Sequence, residues 1–390
     1  MPSVAERRDR VAGWIARLVV AALALAVVAT ASSEAAARSG SAAKVPCAKL
    51  KRQHRKLPAR CRAKPSPAPT PSPPTQTPPA PTPPALVGAV KIPMPFGRPD
   101  VLHASDNQLW IALHGAGTVF AVDPQTNKIA AQMGPENSPV CDFDVSIPGA
   151  LWTGNCGRAT GVARIDTQSK AVAATIPTNS ASVLGVAAGV GAIWAIDSSN
   201  TVWRIDPVSN SVVAKIPVGP TSGAITVAYG SVWVTNAGHD TLSRISRIDP
   251  ATNTVTATVA VGPSDPNDAE ANTGAESIVA TAGSVWVGNS LDNKLYRVDP
   301  ATNTVSAIDI GSPTPRGDWG IMSLAYGDGS VWALAGICDI ARIDPTSGVV
   351  TKHYTICDPA TATGTNGMAF AFGSLWFAFP QDNVVWRIQP

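Results

Sequence analysis

Chemistry needs particular residue types at particular spacings, and this 390-residue chain offers few of them among its 5 His, 27 Asp and Glu, and 6 Cys. His239 and Asp240, in NAGHDT, set an imidazole beside a carboxylate, the minimum for moving a proton. The stretch SDPNDAEANTG carries Asp265, Asp268 and Glu270 with Asn267 and Asn272. Hard oxygen ligands of this kind suit Ca²⁺ or Mg²⁺, the two cofactors the sequence brings into question; no motif demands either. His114, and Arg316, Asp318 and Trp319 in TPRGDW, add groups that could hydrogen-bond or stack on a ligand. No nucleophile elbow, phosphate loop, zincin helix or dinucleotide fingerprint occurs.

The elements that must position these groups are short strands. The chain contains 32 Gly, 35 Pro and 11 Trp and is only 15% charged, which disfavours helical bundles and favours strands joined by turns. From residue 86 onward it repeats. QLWIA, ALWTG, AIWAI, SVWVT, SVWVG, SVWAL and SLWFA bring Trp110, Trp152, Trp194, Trp233, Trp286, Trp332 and Trp376 at intervals of 39 to 53 residues. A second strand-and-turn phrase follows each: FAVDPQTN, ARIDTQSK, WRIDPVSN, SRIDPATN, YRVDPATN, ARIDPTSG and finally WRIQP. With the strands of the TVTATVAVG and AITVAYG type, this makes four strands per unit, the mark of a propeller blade. The predicted fold is all-β, a seven-bladed β-propeller of four-stranded blades over residues 86–390. Its last unit lacks an outer strand, and VGAVKIP at 87–93 supplies it in a 1+3 closure that leaves no sheet edge open.

Repeated residues serve the repeat. Asp123, Asp206, Asp249, Asp299 and Asp344 are expected as turn formers. Arg164, Arg204, Arg247, Arg297, Arg342 and Arg387 recur at one blade position; two residues before the turn Asp, they share its strand face and could pair with it. Function is sought in departures from the repeat. His114, His239, Asp240, the acidic insertion and TPRGDW all fall between second and third strands or between blades, on the face called the top here. His103, in the first strand of blade 1, is expected to face the channel or pack in it. Local pairing predicts the disulfides Cys47–Cys61, Cys141–Cys156 and Cys338–Cys357, the last two across hairpins at the top.

The first 85 residues read as an address. Residues 1–31 have a basic start, an apolar Leu18–Val28 and the small-residue site Ala29-Thr30-Ala31, an expected signal peptide. Residues 32–64 form a basic tail and residues 65–85, with eleven prolines, an extended linker. Residues 32–85 carry ten Lys or Arg against one acid, whereas residues 86–390 carry sixteen against twenty-four. The tail suits anionic wall polymers or lipid headgroups, and the acidic propeller disfavours nucleic acid. A secreted or extracytoplasmic monomer, retained at the wall or membrane surface, is the expectation, and oxidised cysteines fit it.

The phrases GSVWV, YRVDPATNTV and the TIPVG-like KIPVG make residues 87–390 resemble bacterial YVTN-type and virginiamycin B lyase-like propellers. The resemblance implies, for its lyase branch, a Mg²⁺-assisted carbon–oxygen lyase in which a histidine and a Glu-x-His pair on the top face bind metal and move the proton. His239 would stand for one such histidine. No Glu-x-His occurs, since Glu136, Glu270 and Glu276 are followed two places on by Ser138, Asn272 and Ile278. The expected function is therefore non-catalytic binding of a protein, glycan or small ligand through His114, His239, Arg316, Asp318 and Trp319. The alternatives are a metal-dependent lyase using His239, Asp240 and the 265–270 acids, and a wall component without a defined ligand.

Overall fold

The structure is a computed structural model that describes residues 89–390, apart from 114–116, 134–144, 156–160, 179–181, 221–222, 238–239, 268–273, 312–319, 337 and 358–366. The described residues build seven four-stranded antiparallel sheets and one 3-10 turn, Pro380–Asp382. In six sheets the strands lie in chain order. The seventh pairs Val90–Pro93 with Val384–Ile388, Val90 opposite Arg387 and Pro93 opposite Val384, as the predicted closure requires. The seven first strands touch one another in cyclic order, so the blades form a closed ring.

Second strands are buried along their whole length in blades 2 to 7, and in blade 1 from Leu109 on, because a neighbouring blade covers each of their faces. The Trp is at most 1% exposed in all seven blades, and burying so large a ring is worth about 4–6 kcal/mol before entropy is counted. Fourth strands alternate instead, as in Ser211–Pro217, because only one face meets the core.

The bottom of the ring, where third strands turn into fourth, is held by a repeated latch. The turn aspartates behave as expected. Asp206 accepts the amides of Val208 and Ser209, and Asp344 those of Thr346 and Ser347. Such bonds hold the carboxyls of Asp123, Asp166, Asp206, Asp299 and Asp344 below the usual range.

The arginines correct the sequence-based expectation. None is seen to hydrogen-bond the Asp of its own turn, although the charges of Arg164 and Arg297 help to lower the pKa of Asp166 and Asp299. Each guanidinium lies 4.7–5.6 Å from the centroid of its own blade's Trp ring. Five of them then reach across to the turn of the next blade. Arg204 donates to the Pro250 carbonyl at 2.6 Å and Asn253 Oδ1 at 2.9 Å. Arg164 and Arg247 repeat this with Pro207 and Asn210, and with Pro300 and Asn303. Arg297 reaches Thr346, and Arg387 closes the ring at Pro124 and Asn127. The turn amides take one oxygen of each Asp, as Oδ1 of Asp206 and of Asp344, and the guanidinium stacked on its Trp reaches instead the Pro carbonyl and Asn oxygen of the neighbouring turn.

Two blades depart from the latch. Blade 7 borrows its outer strand and has no such turn, so Arg342 bonds Asp328 within its own blade at 2.8 Å. Blade 1 has Ala121 at the arginine position, and Asp106 links it to blade 2 by accepting the Thr167 hydroxyl at 2.9 Å.

Candidate functional site

The top edge is less uniform. The residue three places after each Trp ends the second strand and is buried in every blade. It is Leu113, Asn155, Asp197, Asn236, Asn289, Ala335 and Phe379 from blade 1 to blade 7. Blades 2 to 5 are therefore polar there, and blades 6, 7 and 1 apolar. In blade 4 the Asn236 amide donates to the Gly219 carbonyl, on the link from blade 3, and its oxygen accepts the Ser246 hydroxyl at 2.7 Å. Asn289 similarly holds Val261 and Pro263 of the preceding blade. Asn155 has no partner among the described residues for either side-chain atom.

Asn236 floors a pocket of about 170 Å³ at the top of blade 4, which Gly219, Asp240, Leu242, Arg244 and Thr258 complete. Asp240 lies between the second strand, Ser231–Asn236, and the third, Leu242–Asp249. Its Oδ1 accepts the Leu242 amide at 2.7 Å and its Oδ2 the Arg244 guanidinium at 2.5 Å. The amide bond first, and then Arg244, hold the carboxyl below its ordinary range. An ionised carboxylate held this way is a weaker base than an ordinary one.

Of the other predicted site residues, Asp265 is described. Its carboxylate accepts the backbone amide and side-chain amide of Asn267, closing its own turn. His114, His239, Asp268, Glu270, Arg316, Asp318 and Trp319 lie outside the described residues, as do Cys47–Cys61 and Cys141–Cys156. Cys338 and Cys357 are bonded, with Cα atoms 5.0 Å apart. Among the described residues no group of three or more His, Cys, Asp or Glu could hold a metal, and no helix is long and apolar enough to cross a membrane. His103 sits in the first strand of blade 1, where burial pushes its pKa down to about 4.

Two arrangements escaped the sequence reading. Asp339, fully buried beside the disulfide, takes His353 Nδ1 at 2.9 Å on one oxygen and has no partner on the other. Burial drives its pKa up, against the pull of His353. In blade 3, at the counterpart of the blade 4 pocket, lies a wider one between Thr178, Asp197, Trp203 and Lys215. The available signal was the switch from Leu to Asn or Asp three places after the Trp.

These features define the class, a closed seven-bladed β-propeller with polar pockets on the top edge. Two family models match parts of the chain: a repeat of unknown function (DUF6923) over residues 240–389, and a domain of unknown function (DUF5074) over residues 153–282. No curated protein matches in sequence. Among solved structures, hydrazine synthase of Kuenenia stuttgartiensis is similar at 13% identity and a TM-score of 0.62, over 77% of this chain and 97% of that one. The computationally designed Ika8 protein is similar at 12% identity and a TM-score of 0.53, over 74% and 82%. With 1569 solved chains matching, the likeness speaks for the fold alone.

Proposed function

We propose that the protein is a non-catalytic binding propeller, acting outside the cytoplasm, whose top edge at blades 3 and 4 holds a polar ligand, a glycan in particular. The observation that carries this reading is the blade 4 pocket. Among the described residues its one carboxylate, Asp240, is tied to an arginine and a backbone amide, so these groups are fixed hydrogen-bonding partners. Sugars are recognised by such groups held rigid beforehand. The export-type residues 1–31 and the Cys338–Cys357 bond support the extracytoplasmic placement. The basic tail would retain the protein on an anionic surface, with the proline linker as spacer.

Calorimetry of the full chain against neutral oligosaccharides tests this. Binding should weaken about tenfold in Arg244→Ala, the cost of one charge-assisted hydrogen bond. The sugar should be recovered unchanged by NMR. Turnover of the sugar, or affinity indifferent to Arg244, would count against the reading.

A further inference from the structure

The pocket on blade 3 differs from that on blade 4 in the groups left free. It measures about 340 Å³. Asp197 is only 1% exposed and both its oxygens are committed inward. Oδ1 accepts the amides of Ser199 at 2.9 Å and Thr201 at 3.0 Å, and Oδ2 accepts the Trp203 indole at 2.6 Å. Lys215 is exposed, with its ammonium 4.3 Å from the centroid of the Trp203 ring, and it has no carboxylate partner among the described residues. The Thr178 hydroxyl, on the link from blade 2, is buried without a hydrogen-bond partner among the described residues.

The pocket therefore offers donors and a positive charge and no free carboxylate, within a propeller region whose acids outnumber its bases by twenty-four to sixteen. Such a concavity selects an oxyanion. Trp203 fixes the ammonium in place, which lowers the entropy lost when an anion is bound. A single ammonium balances a single charge, that of a carboxylate rather than of a phosphate dianion.

The two pockets also adjoin. Pro217 lines the blade 3 pocket and Gly219, two residues on in the same strand-to-link segment, lines the blade 4 pocket. Two residues of chain span at most about 7 Å, so the two linings meet along this segment and one extended ligand can touch both.

We infer that the blade 3 pocket is an anion subsite built on Lys215, and that the ligand is an acidic glycan whose carboxylate-bearing sugar lies there while its neighbour occupies blade 4. This rests on the binding function proposed above. Calorimetry of the full chain should compare a uronate-containing oligosaccharide with the same oligosaccharide reduced to the neutral alcohol, at low and high salt. The acidic form should bind about tenfold more tightly, with the preference shrinking in salt. Lys215→Gln should abolish the preference and Lys215→Arg should keep it; the position is exposed, so both variants fold, which a thermal melt verifies. Equal binding of the two oligosaccharides would overturn the anion subsite and leave the blade 4 reading standing. A preference that survives Lys215→Gln would overturn it as well. Binding of neither sugar would remove the proposed function, and the subsite with it.

Discussion

At the bottom of the ring, five blades solve one problem in one way: an arginine stacks on its own Trp and grips the turn of its neighbour. At the top, the residue three places after that same Trp is Leu, Asn, Asp, Ala or Phe according to the blade. The bottom position answers to two blades at once, because its partners lie in the next turn, and a change there costs an interface. The top position has different partners in different blades: a local turn for Asp197, the link from blade 3 for Asn236, the fourth strand of blade 4 for Asn289. It is free to diversify, and the pockets are where it has done so.

The largest effect that would sharpen this contrast is at the bottom. Arg247→Ala removes the stack on Trp233 and bonds to Ser231, Pro300 and Asn303, and should cost about 3 kcal/mol. Arg342→Ala keeps every inter-blade bond and should cost about half as much. Chemical denaturation midpoints read both, and equal losses would mean that the cross-blade bonds contribute nothing.

Acid should separate the regions next. His103 has its folded pKa depressed to about 4, so its contribution is fully present above the ordinary value of 6.5 and is lost as pH falls through 4. Stability should drop by about 2 kcal/mol between pH 7 and pH 5, and His103→Gln should flatten that drop. The bottom turn carboxylates are also depressed, from 3.8, so their contribution holds above that value and fades only below it. A drop between pH 7 and pH 5 that persists in His103→Gln would assign it to other groups.

The smallest effects lie at the top. Asn236→Leu strands the Gly219 carbonyl and the Ser246 hydroxyl and should destabilise by about 1–2 kcal/mol. Asn155→Leu, which copies blade 1, removes a buried amide without partners among the described residues and should stabilise by about 1 kcal/mol. Thermal melts of the two variants should move in opposite directions.

The ring, its blade number and its closure were legible because the Trp phrase recurs seven times and the DPATN-type turn six, and both are local signals. The latch was not. Arg204 stands two residues from Asp206 in sequence, but its partners are Pro250 and Asn253, and a repeat looks the same whether a residue contacts its own blade or the next. The pockets were harder still, since Gly219, Asn236 and Thr258 meet only through strand pairing and the inter-blade link. Asp240 was picked out for proton chemistry, and nothing local announced that Arg244 would neutralise it. Asp339 and His353 read as ordinary strand residues until register brought them together.

The closing strand also sets an order of events. Val90–Pro93 is made among the first residues of the propeller, but its partner, Val384–Ile388, is made nearly last. Pairing over that distance carries a loop-closure cost, so blade 7 is expected to complete late, with a four-residue strand unpaired until then. Lys91 and Pro93 make that wait tolerable. A charge and a missing amide donor are what discourage an unpaired strand from joining a neighbouring chain.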